Sequence, residues 1–366
     1  MSSFPPPPPL PPSNNKTVLI TGINGYIASH LGLSLLRSGY TVRGTSRSPT
    51  TLLSPTGPFH PYSSRYTHLL IPDITISGAF DTAVAGVHFI LHTASPVDFT
   101  LRTVSAFIHP AVQGNLSLLN SAVEFSGPQL ESFVLTSSNA AVADRLAHPA
   151  SEAFAYSEAD WNNSALSLAL ESETSGNFAP HIAYSASKAA AERALWDWAA
   201  KHKPSWALCA VNPSVVTGPP VLWPDSPERL NETLLPIWRI FSGEATEVPP
   251  GIGGMSYVDV RDVVRLHVWC MEHRATGRWL CTNGKGTMQA VADILRKEYP
   301  ERKIVVGTPG GDYREDYWFV EGEASMASTK AYTALGEERF EFDYRRSVLD
   351  TVRAFEGRWG SLLRNK

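Results

Sequence analysis

Two side chains suited to proton transfer stand four residues apart in the run Tyr184-Ser-Ala-Ser-Lys188. That separation puts Tyr184 and Lys188 on one face of a helix, one turn apart. A phenol with its ordinary pKa of about 10 is a poor acid–base group at neutral pH. A neighbouring ammonium favours the phenolate and lowers that value. A tyrosine tuned in this way can give a proton to a carbonyl oxygen while a hydride arrives at the carbonyl carbon. Two hydroxyls, Ser137 and Ser138, follow the apolar run Val134-Leu-Thr136. At the carboxyl end of a sheet strand, a serine reaches a substrate beside a nicotinamide and polarises its carbonyl. The spacing alone fits either serine.

Hydride chemistry calls for a dinucleotide, and Thr21-Gly-Ile-Asn-Gly-Tyr-Ile-Ala28 has the pattern of a phosphate loop. Gly22 permits a tight turn, and Gly25 lets the backbone approach a pyrophosphate. Ala28 keeps the helix close to the sheet where a third glycine would otherwise stand. Tyr26 and Ile27 open that helix, whose free N–H groups and positive dipole end suit phosphate. An NAD site places Asp or Glu about 20 residues further on, against the ribose. Here the stretch is Arg43-Gly-Thr-Ser-Arg47, with no acid nearby. An arginine at the end of the second strand pairs instead with a 2′-phosphate. NADP(H) is therefore favoured over NAD, with Arg47 a better candidate than Arg43.

The charge balance agrees with an anionic ligand near the N-terminus. The 366 residues carry 31 Lys+Arg and 35 Asp+Glu, for a net charge of −4. All 35 acids lie from Asp73 onward, whereas residues 1–72 hold five bases and no acid. A basic N-terminal part attracts phosphates, while the overall charge argues against a nucleic-acid partner. No apolar run reaches the roughly 18 residues of a spanning helix, so no membrane partner is expected. Cys209, Cys270 and Cys281 are an odd number without metal-ligand spacing. Neither a disulfide framework nor a metal site is expected, and a reducing compartment, the cytoplasm, fits best.

These residues need a scaffold that brings strand ends together. Apolar runs at Lys16–Thr21, Tyr40–Thr45, His68–Ile71, Val87–His92, Phe133–Thr136 and Trp206–Val211 read as buried strands. Helical patterns lie between several of them, around 27–38, 110–126 and 184–200. The alternation predicts an α/β fold: a Rossmann, doubly wound parallel sheet with an interleaved smaller C-terminal substrate-binding region. Residues 1–15, seven of them proline, read as an extended tail rather than a secretory signal. The expected boundaries are 16–212 and 256–283 for the NADP-binding part, and 213–255 with 284–366 for the substrate part. The loop after the fifth strand, about 139–182, includes an Ala/Ser/Leu-rich insertion from Ala165 to Asn177. With Trp223, Trp238 and Phe241 it supplies candidate lining for an apolar carbonyl substrate, although core packing explains these aromatics equally well.

Taken together, the motifs resemble those of the extended short-chain dehydrogenase/reductase family. Within it the chain is similar to the dihydroflavonol reductase and cinnamoyl-CoA reductase branch, fungal aldehyde and methylglyoxal reductases above all. The markers are Thr21 to Ala28, Arg43 to Arg47, Asp73-Ile74, His92-Thr-Ala-Ser-Pro96, Thr136-Ser-Ser138, Glu158-Ala-Asp-Trp-Asn162, Tyr184 to Lys188, Asn212-Pro-Ser and Tyr257 to Asp262. The resemblance covers about 16–285 well and the C-terminal part loosely. It implies an NADPH-dependent reduction of an aldehyde or ketone, with Ser138, Tyr184 and Lys188 catalytic. It further implies that Arg47 meets the 2′-phosphate, Asp73 and Ile74 the adenine, Thr93, Ala94 and Ser95 the ribose side, and Pro213 and Val216 the nicotinamide. The branch, rather than any residue, suggests a fungal specialised-metabolite pathway, with the protein a monomer or homodimer. Two positions depart from the pattern. No lysine follows Arg47, where Pro49, Thr50 and Thr51 stand, and Asn115 occupies a site where the branch often has threonine. Asn115 fits a proton relay or helix packing. A sugar-nucleotide epimerase or dehydratase, a hydroxysteroid-type dehydrogenase and a non-catalytic NADP-binding regulator remain alternatives.

Overall fold

The apolar runs become the strands of one parallel sheet. The computed structural model describes residues 12–95, 98–251, 256–326 and 328–363. Pro96 and residues 1–11 of the proline-rich leader lie outside the described residues. In chain order the first half contains β1 (Thr17–Thr21), α1 (Tyr26–Arg37), β2 (Thr41–Ser46), β3 (Tyr66–Leu70), α2 (Asp81–Val84), β4 (Phe89–His92), α3 (Val104–Phe125) and β5 (Ser132–Thr136). Then come β6 (Ala155–Tyr156), α4 (Ala165–Thr174), α5 (Pro180–His202), β7 (Ala207–Pro213), β8 (Val215–Thr217) and α6 (Leu235–Phe241). The chain continues with β9 (Tyr257–Asp259), α7 (Val260–Glu272), β10 (Gly277–Cys281), α8 (Met288–Glu298), β11 (Ser325–Met326), α9 (Thr329–Leu335) and α10 (Tyr344–Leu363).

Seven strands pair in the order β10-β7-β5-β4-β1-β2-β3, and every pairing is parallel. The chain runs outward from β1 to β3, then returns to place β4 on the other side of β1. The strand order thus reverses between β1 and β4, and doubly wound sheets bind ligands beyond the carboxyl ends of their strands at such a point.

The period of two along each strand divides the core between two faces. Val18, Ile20, Leu91, Val134 and Val211 pack with α1 and α7 on one face. Leu19, Ile90, Phe133, Leu135 and Ala210 pack with α3 and α5 on the other. Each large aliphatic side chain so buried contributes about 1.5–3 kcal/mol. A separate cluster joins α6, α8 and α10, with Trp238, Phe241, Leu295, Val352 and Phe355 at its centre.

Two features differ from the sequence reading, and an alternative left open there is decided. The helix bearing Tyr184 starts one turn earlier, at Pro180, because proline suits the first helical turn and costs no hydrogen bond there. The expected loop insertion Ala165–Asn177 is mostly the helix α4, whose Ala165 and Ala169 are buried against its neighbours. Trp238 and Phe241 belong to the core, at 2% and 1% exposure, and Trp223 packs on Phe355 and Trp359. All three cysteines are free and buried.

Candidate active site

The turn after β1 is built from backbone. Gly22 has φ +68°, a conformation that disfavours side chains. A Cβ there would also stand 3.0 Å from Ala94 Cα, across the switch point. Gly25 caps α1 in extended geometry and donates its N–H to the Gly22 carbonyl at 2.8 Å. The first bond into α1 runs from Ser29 N–H to the Gly25 carbonyl. Helix geometry thus leaves the N–H groups of Tyr26, Ile27 and Ala28 without intrahelical partners. No acid occupies the first turn. The Tyr26 side chain donates its hydroxyl to the Gly218 carbonyl at 2.5 Å.

The end of β4 is pinned to the end of β1. The Thr21 hydroxyl accepts from the N–H groups of Thr93 at 3.1 Å and Ala94 at 3.0 Å. The Thr93 hydroxyl donates to the Thr21 carbonyl. Thr21 Oγ1 also lies 2.7 Å from His92 Nδ1. Burial, with the nearby Lys188 charge, pushes the His92 imidazole down to about 3, so it is neutral at physiological pH. Ser95 follows, half-buried.

At the end of β2 the two arginines separate. Arg43 donates to the carbonyls of Ala83 and Ala85, each at 2.7 Å, and so supports the end of α2. Arg47 is exposed one residue past β2. Asp73 is exposed, and its carboxylate accepts from the Thr75 N–H and hydroxyl at 2.8 and 2.7 Å. Those bonds hold its pKa below the usual carboxylate value. Ile74 packs over Gly114 of α3, where a Cβ would stand 2.6 Å from Ile74 Cδ1.

The catalytic candidates converge from α5 and β5. Lys188 Nζ lies 5.7 Å from the centroid of the Tyr184 ring. Lys188 is 7% exposed, and its ammonium has no hydrogen bond or ion pair among the described residues. Tyr184 is half-buried and meets Phe99 edge to face. The two serines also part company. Ser137 donates its hydroxyl to Glu192 at 2.6 Å. Ser138 caps the turn Asn139–Ala141, its hydroxyl accepting from Ala140 N–H at 3.2 Å and donating to Asn139 Oδ1 at 3.3 Å. Asn115 donates to the Ala191 carbonyl at 2.9 Å and so ties α3 to α5. Pro213 ends β7 beside Cys281, and the Val216 side chain is buried in the core of the α1 face. Sequence reasoning missed Glu192 and Arg278, a buried pair 2.6 Å apart behind Ser137. Glu192 continues the four-residue spacing of Tyr184 and Lys188, a signal that could have found it.

These residues fit a phosphorylated dinucleotide. A positive-φ glycine stands at the switch point, three N–H groups lack helix partners, and a free ammonium lies beside a tyrosine. The exposed end of β2 carries an arginine and no carboxylate.

The profile of the NAD dependent epimerase/dehydratase family matches residues 18–279. The NADPH-dependent methylglyoxal reductase of Saccharomyces cerevisiae is 31% identical, over 93% of this chain and 99% of that protein. The dihydroflavonol 4-reductase of Dianthus caryophyllus is 32% identical, over 90% of this chain and 83% of that protein. Among solved structures, the yeast methylglyoxal/isovaleraldehyde reductase complexed with NADPH superposes with a TM-score of 0.79 at 27% identity. That match covers 94% of this chain and 99% of the other.

Proposed function

The chain belongs to the NAD dependent epimerase/dehydratase family, and within it we propose an NADPH-dependent reductase that converts an aldehyde or ketone to an alcohol. The protein is an NADP-dependent oxidoreductase. The observation that carries the reductase assignment is the Tyr184–Lys188 pair, with Lys188 Nζ 5.7 Å from the phenol ring and otherwise unpartnered among the described residues. The similarity to reductases of small aldehydes and of a flavonoid ketone supports it.

The cofactor would be held by the backbone of Gly22, Gly25, Tyr26 and Ile27 at its pyrophosphate and by Arg47 at its 2′-phosphate. Asp73 and Ile74 would flank the adenine. Thr93, Ala94 and Ser95 would border the ribose side, Lys188 the nicotinamide ribose, and Pro213 and Val216 the nicotinamide. NADPH supplies the hydride when bound. The Tyr184 phenol gives its proton to the substrate oxygen, and Lys188 stabilises the phenolate left behind. Ser138, whose hydroxyl is not taken by Glu192, donates to the same oxygen as negative charge develops there. Residues 213–255 and 284–366 form the substrate-binding part.

An epimerase or dehydratase acting on a sugar nucleotide is the second assignment, and the family profile favours considering it. It is disfavoured by Arg47, because the end of β2 lacks the acid that holds an NAD ribose.

The test is oxidation of NADPH by the purified protein over small aldehydes, α-ketoaldehydes, diketones and aryl ketones, with NADH in parallel. Turnover with NADPH, weak turnover with NADH, and a loss of about 10²–10⁴-fold in Tyr184→Phe are expected. Preference for NADH, or full activity of Tyr184→Phe, would overturn the proposal.

A further inference from the structure

A fully buried carboxylate stands one helical turn beyond Lys188. Glu192 has no exposed surface, and its oxygens are saturated. Oε1 accepts from Arg278 Nε at 2.6 Å and from Trp196 Nε1 at 3.4 Å. Oε2 accepts from Ser137 Oγ at 2.6 Å, Asn212 Nδ2 at 2.8 Å and Arg278 Nη2 at 3.4 Å. Asn212 Nδ2 also donates to the Ser138 carbonyl at 3.1 Å. The remaining Arg278 donors take backbone carbonyls of Ala141, Glu158 and Asp160, and the guanidinium lies 3.8 Å from the centroid of the Trp161 ring. One ion pair therefore joins α5 to the carboxyl ends of β5 and β7, to β10, and to the 139–161 stretch.

We propose that Glu192 and Arg278 are positioning residues that aim the Ser138 hydroxyl at the substrate oxygen. The proposal rests on the reductase assignment above. Consecutive residues of an extended chain point to opposite sides, and Ser138 is extended at φ −164°, ψ 154°. Holding the Ser137 hydroxyl on the Glu192 side turns Ser138 to the other. The bond from Asn212 holds the Ser138 carbonyl, and the Ser138 hydroxyl caps the following turn through Ala140 N–H and Asn139 Oδ1. A lone buried charge is strongly unfavourable, so each ion must keep its partner and the arrangement has one geometry. Ser138 is positioned before any substrate arrives, which is what an oxygen-polarising donor requires.

The experiment compares Glu192→Gln, Ser137→Ala and Tyr184→Phe with the wild type, using the best carbonyl from the panel. Three quantities are read: kcat at saturating NADPH, NADPH Kd by nicotinamide fluorescence, and thermal midpoint. Glu192→Gln is expected to lower kcat about tenfold or more, because a small misplacement of a catalytic group is costly. Ser137→Ala is expected to lower it about threefold, since the ion pair remains. NADPH Kd stays within about twofold in both, a split that general loosening would not produce. Full kcat in folded Ser137→Ala and Glu192→Gln, with Tyr184→Phe inactive, overturns the positioning role alone. A rise in NADPH Kd that matches the fall in kcat overturns it too. If Glu192→Gln does not fold, Ser137→Ala decides by the same criterion. If Tyr184→Phe retains turnover, the reductase assignment falls and the positioning role with it.

Discussion

The proposed cofactor end and the proposed catalytic wall are built from different materials. Around β1, α1 and β4 the work would be done by backbone: a positive-φ glycine, N–H groups without helix partners, and strand ends pinned through the Thr21 hydroxyl. Around α5, β5 and β7 it is done by buried side chains, with Glu192 and Arg278 at the centre. A backbone-built surface presents dipoles to any phosphate and tolerates exchange of most side chains around it. A surface built on a buried ion pair tolerates loss of neither ion. The first kind suits a cofactor shared by many enzymes, and the second suits one oxygen atom that must be met from one direction.

Perturbations of each kind of construction separate the two regions. The largest effect is expected for Glu192→Ala, which leaves Arg278 buried and unpaired at a cost of about 3–5 kcal/mol. Thermal unfolding should show the midpoint lowered by roughly 5 °C. Replacing both ions, as Glu192→Leu with Arg278→Met, should restore most of that stability while kcat stays low. Full recovery of both would erase the distinction. Next comes Arg47→Leu, which should raise the KM for NADPH by about 10- to 100-fold through loss of charged hydrogen bonds, leaving that for NADH nearly unchanged. Gly22→Ala should weaken NADPH binding about tenfold, the cost of a side chain at positive φ, and titration of NADPH fluorescence measures it.

The smallest effect is one that both regions share. His92 at the end of β4 and His267, 2.8 Å from the Thr136 hydroxyl at the end of β5, are buried and neutral. Burial lowers the first to about 3 and the second to about 4. In the unfolded chain each takes up a proton near pH 6.5. Stability is therefore whole above that pH and falls as the solution is acidified towards pH 4 and below. Between pH 6.5 and 5.5 each contributes a loss of about 1 kcal/mol. Unfolding midpoints across that range, with a shallower slope in His267→Gln, would verify it.

The proposed cofactor end is legible in the sequence because its signals are local. Gly22 and Gly25 lie three residues apart, and Arg47 stands one residue past β2 while Arg43 is occupied by the carbonyls of Ala83 and Ala85. The sheet is legible because alternate strand residues must serve two cores. The catalytic wall is legible only in its helical spacing. Glu192 extends the Tyr184 and Lys188 register, but Arg278 lies 86 residues away and no periodicity links them. Spacing likewise leaves Ser137 and Ser138 alike, whereas in the fold Glu192 takes the Ser137 hydroxyl. Aromatic content likewise could not tell a pocket from a core, and Trp238 and Phe241 proved to be core. The Ala/Ser/Leu composition of 165–174 concealed a helix whose burial comes from neighbours rather than from its own amphipathicity.

The three sealed cysteines turn the protein into its own clock. Cys209, Cys270 and Cys281 are spread over β7, α7 and β10, all within the core of the α1 face. The sulfur of Cys270 and burial push the Cys209 thiol up, and burial does the same for Cys281. A thiol reagent, which needs an exposed thiolate, reaches them only when the sheet separates from α7. Each modified sulfur then records one large opening of the molecule. The pace of labelling by such a reagent would count those rare events with no residue changed.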